Sequence, residues 1–187
     1  MSQLTVCRAA DAARLDHLTD HRAIAARLAD KGVRFERWAA EQPLAADAGQ
    51  EEVLAAYAGS VVHLNAEYGF QSVDVVALRP DHPQRAELRR KFLAEHTHDD
   101  FEVRFFVDGR GLFYLHLGDE VWMVLCGKGD LISVPANTTH WFDMGEHPDF
   151  KCIRFFTVPD GWVGNFTGSD IAGRFPTFDE HLATLPA

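Results

Sequence analysis

From Glu95 to Val158 the sequence is a succession of short apolar segments separated by turn motifs, and this pattern restricts the fold more than any other feature. The turns are DGRG, LGDE, GKGD, PANT and EHPD, and segments such as EVRFFV, MVLC, DLISV and KCIRFFTV lie between them. Short strands at this spacing favour an antiparallel barrel or jelly roll over a parallel sheet.

The sequence before Glu95 has a different character, because helical patterns dominate it. DHRAIAARLADKGV places apolar residues on one helical face and ends at Gly32, and QEEVLAAYAGSVVHLNAEYG predicts one helix or a pair broken near Gly59. SVDVVALRP predicts a short strand, and DHPQRAELRRKFLAEH predicts a helix with Asp81 as N-cap and Pro83 in its first turn.

These patterns predict one mainly β domain over residues 1–187 with flanking α-helices. We expect a mostly helical flank at 1–94, a barrel core at 95–160, and a C-terminal segment at 161–187 that packs on the barrel. A chain of 187 residues with 47% hydrophobic content is long enough to bury one core without disulfides.

Charge and cysteine content exclude several classes of protein. The formal net charge is -10 and no Lys/Arg run occurs, which argues against nucleic-acid or membrane partners. The three cysteines Cys7, Cys126 and Cys152 are widely spaced, and the chain carries neither a signal-peptide pattern nor an apolar run of about 18 residues. We therefore expect a cytoplasmic monomer that binds a small molecule.

Four residues around the predicted barrel have the chemistry of a metal site: His96, His98, Glu102 and His140. In an extended chain, His96 and His98 point to the same side, and Glu102 begins a strand on which Arg104 and Phe106 share its face. Three neutral imidazoles and a carboxylate suit a borderline divalent metal such as iron, nickel, manganese, copper or zinc. We predict one divalent metal ion per chain.

A single histidine is more often an ordinary surface or core residue than a ligand. We therefore assign no role to the seven others, which are His17, His21, His63, His82, His116, His147 and His181.

Two arginines are expected to face the barrel interior. Arg104 shares a strand face with Glu102, and Arg154 lies on another strand, in KCIRFF. A buried guanidinium must be paired or must serve an anion, so a metal and two arginines favour an anionic, oxygen-chelating substrate. The alternative is that each arginine pairs with an acidic neighbour. Phe92, Phe142 and Trp162 are candidate walls of the pocket, although buried aromatic residues are often simply core.

The segments HTHDDFEVRFFVDG and GDLISVPANTTH resemble the two cupin motifs. This resemblance implies a double-stranded β-helix, or jelly-roll barrel, with one metal inside. The sequence departs from the motifs at three positions, where Arg90 and Asn137 replace glycines and Met144 replaces an asparagine. Asparagine tolerates a left-handed turn best among non-glycine residues, so the change at Asn137 is mild.

KFLAEHTHDDFEVRFFVDGRGLF, ISVPANTTHWFD and GWVGNFTG resemble the acireductone dioxygenase family of methionine salvage, as do KGVRFERW and VDVVALRPDHP. The resemblance implies Fe(II) or Ni(II) on His96, His98, Glu102 and His140. It implies substrate contacts from Arg104 and Arg154, and pocket aromatics at Phe92, Phe142 and Trp162.

The implied reaction cleaves an acireductone with O2, and the metal determines the products. The iron form gives formate and 4-methylthio-2-oxobutanoate, and the nickel form gives formate, carbon monoxide and 3-methylthiopropanoate. Three alternatives stay open: a different cupin dioxygenase, a metal-dependent sugar isomerase or epimerase, and a non-catalytic binding module. The acidic charge and the absence of a recognisable helix-turn-helix count against a DNA-linked sensor.

Overall fold

The computed structural model describes residues 1–185. This part of the chain contains eleven strands that pair antiparallel, with five α-helices and one 3-10 turn around them. The strands are β1 Gln3–Arg8, β2 Arg14–Leu18, β3 Arg34–Arg37, β4 Ser72–Leu78, β5 His96–Thr97, β6 Glu102–Leu117, β7 Glu120–Gly127, β8 Asp130–Val134, β9 Thr139–Asp143, β10 Phe150–Phe156 and β11 Asn165–Phe166. The helices are α1 His21–Ala29, α2 Gln50–Ala56, α3 Ala58–Tyr68, α4 Arg85–Leu93 and α5 Phe178–Ala183, and the 3-10 turn is Ile171–Arg174.

Strand β6 belongs to two sheets. Its first half lies in a sheet of order β4-β10-β6-β8-β3, and its second half lies in a sheet of order β2-β1-β7-β6-β9-β5-β11. The crossover is at Gly109, where φ is 65° and a Cβ atom would lie 1.9 Å from the Asp149 carbonyl oxygen. Only glycine fits such a position. The two antiparallel sheets form the expected double-stranded β-helix.

Apolar side chains fill three layers, one between the sheets and one on the outer face of each sheet. Phe106, Phe113 and Phe142 lie in the inner layer. Val103 and Phe105 of β6 point outward instead and pack beneath α2 and α3. Inward and outward residues therefore alternate along β6, as period-two patterning requires, although both faces are buried.

Residues 1–94 differ from the mostly helical flank that we expected, because they also supply four strands. β1 pairs with β7, β3 with β8 and β4 with β10, so the barrel is not confined to 95–160. QLTVCR of β1 is buried over all but its last residue, although Gln3 to Val6 alternate polar and apolar residues as a half-exposed strand does. Two helix boundaries also differ: α4 starts after Gln84 rather than Asp81, and the break between α2 and α3 falls at Tyr57.

The C-terminal residues cover the outer face of the larger sheet. Ile171, Phe175 and Phe178 pack in one apolar layer with Tyr114 and Trp141. The Tyr114 hydroxyl donates a hydrogen bond of 2.6 Å to the carbonyl of Pro176. Residues 186–187 of the expected C-terminal segment lie outside the described residues. None of the helices described is long and apolar enough to cross a membrane.

Candidate metal centre

Three histidines meet where β5 pairs with β9. His96 of β5 lies directly opposite His140 of β9, and His98 follows β5 by one residue. The ring centroids are 4.5 Å apart for His96 and His140, 4.9 Å for His96 and His98, and 5.2 Å for His98 and His140. One ligand atom from each ring lies within 4.8 Å of the other two. This cluster can hold a metal ion.

Each of the three rings has its Nδ1 engaged by a backbone carbonyl. His96 contacts the oxygen of Ala94 at 2.7 Å, and His140 contacts that of Thr138 at 2.7 Å. His98 contacts the oxygen of Val163 at 2.8 Å. Because a carbonyl only accepts, each Nδ1 carries the proton, which leaves the Nε2 lone pair free for a metal.

His140 Nε2 provides an independent test of whether a metal fits. It is buried and has no hydrogen-bond partner among residues 1–185. Burial lowers the pKa of His140 to about 4 and also lowers that of His96, so both are neutral at physiological pH. A neutral imidazole with an unsatisfied buried nitrogen is what metal coordination requires.

Glu102, the fourth expected ligand, lies at the edge of this cluster. Its Oε2 is 3.5 Å from His98 Nε2, while its Oε1 accepts a hydrogen bond from Arg104 Nε. Burial alone would raise the pKa of Glu102, but Arg104, His98 and His140 together hold this pKa at about 2. The carboxylate is therefore ionised, with one oxygen directed at the arginine and the other at the histidines.

Arg104 is buried on the inner face of β6, as predicted. Its guanidinium lies over three aromatic rings, those of Phe92, Phe113 and Phe142, at 5.3 to 5.9 Å from their centroids. Nη1 also faces the thiol of Cys152 at 3.8 Å. Arg104 thus pairs with an acidic neighbour, Glu102, which is the alternative stated above for both arginines. The ion pair holds the guanidinium beside the histidines.

Arg154 pairs with Asp74 of β4 rather than standing free. Nε donates to Oδ1 at 2.8 Å and Nη2 to Oδ2 at 2.6 Å, a two-point arrangement that fixes the plane of the guanidinium. Arg154 also lies over the ring of Phe156. Asp74 was not among the predicted site residues, because it is 80 positions from Arg154 and the two meet only through the β4–β10 register.

A cavity of about 610 Å³ opens onto this cluster. Its polar end contains His96, His98, Arg104 and Arg154. Its apolar wall comes from β4 and α4 and includes Val76, Leu78, Leu88 and Phe92. We had expected Phe92 on the wall but had not recognised the β4 residues, because a run such as VDVVAL does not show which face it buries.

The two other expected aromatics differ in position. Trp162 lies at the mouth of the cavity with 53% of its surface exposed. Phe142 does not line the cavity. It is buried in the inner layer, where its ring packs edge-on against Phe92 at 6.1 Å and lies under Arg104. Phe142 therefore supports the wall from behind, because β9 directs it into the core.

The motif departures are accommodated locally. Asn137 has φ 62°, the left-handed conformation that asparagine tolerates, and its N–H donates to the carbonyl of His98 at 2.8 Å. Arg90 is exposed on α4, and Met144 is buried in the inner layer. Among the histidines without an assigned role, His116 pairs with Glu95 at 2.7 Å and supports the residue before His96.

A double-stranded β-helix with clustered imidazoles inside it defines the class of metal-binding cupins. The sequence profile of the ARD/ARD' family matches residues 4–164. The acireductone dioxygenase of Methylococcus capsulatus is 58% identical over 182 residues, which cover 97% of this chain and 98% of the relative. That of Stenotrophomonas maltophilia is 62% identical over 155 residues, which cover 83% and 84%. The chain belongs to the ARD/ARD' family.

A solved structure agrees with this assignment. The structure described as acireductone dioxygenase from Bacillus anthracis with cadmium ion in its active centre aligns with a TM-score of 0.78 at 30% identity, covering 89% of this chain and 98% of that one. The fold of the present chain is thus that of a known family member.

Proposed function

We propose that the chain cleaves an acireductone, 1,2-dihydroxy-5-(methylthio)pent-1-en-3-one, with O2. The observation that carries the proposal is the cluster of three Nε2 atoms, each freed by an Nδ1–carbonyl hydrogen bond, beside a cavity with a largely apolar wall. The partners are therefore the substrate and dioxygen, and we propose that the chain acts as a monomer in the cytoplasm.

His96, His98, Glu102 and His140 would hold one divalent metal ion, Fe(II) or Ni(II). When bound, the metal would supply a Lewis acid that the oxygen atoms of the substrate can chelate. Glu102 contributes the negative charge of the site, and the Nδ1 hydrogen bonds keep each imidazole in the tautomer that can bind.

Arg104 and Arg154 would bind the enediolate oxygens of the substrate. Both guanidiniums are already oriented, Arg104 by Glu102 and the aromatic rings and Arg154 by Asp74, so little conformational entropy is lost on binding. The methylthio tail would lie against Val76, Leu78, Leu88 and Phe92. Trp162 at the mouth would limit the access of water.

The experiment that tests the proposal is turnover of the acireductone by protein reloaded separately with Fe(II) or Ni(II). We expect formate from both forms, 4-methylthio-2-oxobutanoate from the iron form, and carbon monoxide with 3-methylthiopropanoate from the nickel form alone. Formate, carbon monoxide and oxygen uptake are measured together.

His140→Ala serves as the control for this experiment. It removes one of the three clustered imidazoles, so metal content and turnover should fall together. Full metal retention in this variant would remove His140 from the ligand set. If metal-loaded wild-type protein consumes no acireductone, the dioxygenase proposal fails, and isomerase and binding functions become the alternatives.

A further inference from the structure

A second cavity of about 370 Å³ lies beside the first and carries three basic side chains. Arg79, His82 and Lys151 line it, together with residues 46–48, Ala77, Asp81 and Pro83. It shares Ala77 and His82 with the wall of the larger cavity, so the two adjoin at the end of β4. The acireductone reaction as proposed uses none of these basic groups.

Lys151 is the unusual member of the set, because it is a buried cation without an acidic partner. Only 5% of its surface is exposed, and within residues 1–185 no carboxylate oxygen lies within 4.0 Å of its Nζ. Its one hydrogen bond within these residues is to the carbonyl of Ala46, at 2.7 Å. A buried ammonium has three donors and costs free energy unless a counter-charge compensates it.

Arg79 brings a second positive charge to the same point. Its Nη1 donates to the same Ala46 oxygen at 3.2 Å. Because Arg79 Nη1 and Lys151 Nζ both contact this one oxygen atom, the two nitrogen atoms lie close to each other. Like charges at such separations repel each other. Two carboxylates also line the cavity, but both are exposed: Asp81 lies 3.9 Å from Arg79 Nε with 87% of its side chain in solvent, and Asp47 lies on the adjacent loop.

We propose that this cavity binds a small oxyanion, a phosphate or a carboxylate, between Lys151 and Arg79. The oxygen atoms of an oxyanion would accept hydrogen bonds from the unused N–H groups of Lys151. Its negative charge would compensate the positive charges of Lys151 and Arg79. The overall charge of -10 repels anions from the chain as a whole, so retention of one requires such a local concentration of cations. The proposal does not depend on the acireductone reaction.

The cavity adjoins the start of a helix that also lines the larger cavity. His82 belongs to the turn that leads into α4, and α4 supplies Leu88 and Phe92 to the larger cavity. His82 Nδ1 accepts the N–H of Gln84, the residue that caps this helix. An anion held against His82 would therefore fix the start of α4.

The experiment is calorimetric titration of the metal-loaded protein with inorganic phosphate, and separately with acetate, at constant ionic strength. We expect saturable binding of at least one of them. Lys151→Met should weaken this binding roughly tenfold or more, since a charged hydrogen-bonding group is lost, and Arg79→Gln should weaken it to a smaller extent. Lys151→Arg should retain most of it, and Lys128→Met, at an exposed turn lysine, should not change it.

The ranking of phosphate and acetate distinguishes the two classes of ligand. The absence of saturable binding by either anion to the wild-type protein overturns the proposal. So does binding that both Lys151→Met and Arg79→Gln leave unchanged, since the anion would then lie elsewhere, for example at the metal centre. Far-UV circular dichroism of each variant verifies that the fold is intact. A purely structural role of Lys151, as an anchor for the loop at Ala46, predicts a different result. Lys151→Met would then lower the thermal midpoint of unfolding, and phosphate would leave the midpoint of the wild-type protein unchanged. That result also contradicts the proposal.

Discussion

The candidate metal site depends on which nitrogen of each imidazole is protonated. Three backbone carbonyls, those of Ala94, Thr138 and Val163, accept one N–H each and thereby direct three lone pairs to one point. Two of these carbonyls lie two residues before their histidine, so the local chain conformation provides them. The third comes from the segment after β10 and brings Val163 onto the site.

Replacing Arg104 by alanine separates substrate binding from metal binding. The variant should retain its metal, because the three Nε2 atoms do not depend on Arg104, while the KM for acireductone rises about tenfold or more with the loss of a charged donor. Metal content by atomic emission and steady-state kinetics on the same sample provide the measurement.

Arg110→Ala is the matched control, since Arg110 is on the same strand but exposed. If the Arg104→Ala variant lost metal in proportion to its loss of activity, a role of Arg104 in substrate binding would be contradicted. It would show instead that Arg104 acts by holding Glu102.

Only part of the site could be predicted from the sequence. The spacing of His96, His98 and Glu102, with His140 beyond, pointed to the three imidazoles that cluster, whereas the β5–β9 pairing that sets His140 opposite His96 is visible only in the structure. The partners of the two arginines were not predictable. Glu102 was expected on the metal alone, and Asp74 becomes a neighbour of Arg154 only once β4 and β10 are in register. The role of Phe142 behind the wall follows from packing that a single sequence does not show.

Strand β6 connects the two sheets, and its glycines determine how it does so. Gly109 allows the close approach of the Asp149 carbonyl, and Gly111 leaves room for the ring of Phe142, which a Cβ atom would approach to 2.2 Å. The aromatic layer under Arg104 therefore extends to the backbone of β6. The motif DGRG was predicted to be a turn between two strands, but this prediction was wrong, because the motif lies within one continuous strand.

Gly109→Ala should destabilise the fold much more than an ordinary substitution of a glycine with positive φ. A Cβ at this position collides with backbone atoms that cannot move independently, so we expect a loss of about 3 kcal/mol or more in the free energy of unfolding. Gly118→Ala provides the comparison: φ is 71° there, but nothing lies within 4 Å of the added Cβ, and only about 1 kcal/mol of conformational strain is expected. Urea unfolding of both variants measures the difference, and equal losses would show that the contact at Asp149 is unimportant.

The strands and helices were predicted unevenly for a physical reason. Helix α1 was identified from its apolar face, and the structure adds a side-chain cap from Asp20. β1 was not predicted although Gln3 to Val6 alternate polar and apolar residues, because a segment this short forms a strand only through its pairing with β2 and β7. Sequence patterns thus identified the amphipathic helix and the apolar strands after Glu95, whereas β1 became recognisable only from its long-range pairing with β7.

Asp143 connects three parts of the molecule. Its fully buried carboxylate accepts two hydrogen bonds from Arg89 of α4, at 2.7 and 3.0 Å, one from the N–H of Gly145, and one from the N–H of Phe178 at the start of α5. Burial alone would raise the pKa of Asp143, but Arg89 and the two backbone donors lower it below its ordinary value. The charged form therefore stabilises the assembled barrel and its C-terminal cover.

Asp143→Asn should lower the free energy of unfolding at pH 7 by about 3 kcal/mol or more, since Arg89 loses its buried partner. The folded-state pKa is depressed, so the stabilisation is present above the unfolded-state pKa near 3.8 and is lost as pH falls below it. The difference between variant and wild type should therefore shrink from pH 5 to pH 3 in urea unfolding. Asp170→Asn, at an exposed pair with Arg174, should cost less than about 1 kcal/mol at any pH. If the difference in unfolding free energy between wild type and Asp143→Asn did not change with pH, the charge of Asp143 would be excluded as its cause.

The pairing of β5 with β9 also has a consequence for biosynthesis. On the ribosome, the segment with His96 and His98 emerges well before His140, and Val163 emerges last. A metal ion that meets the nascent chain finds at most two of the three imidazoles, whose tautomers are not yet fixed, and gains little from chelation. The full site appears only after Val163 has been synthesised and the barrel has closed, so the folded barrel acquires the metal from the ions that the cell then makes available.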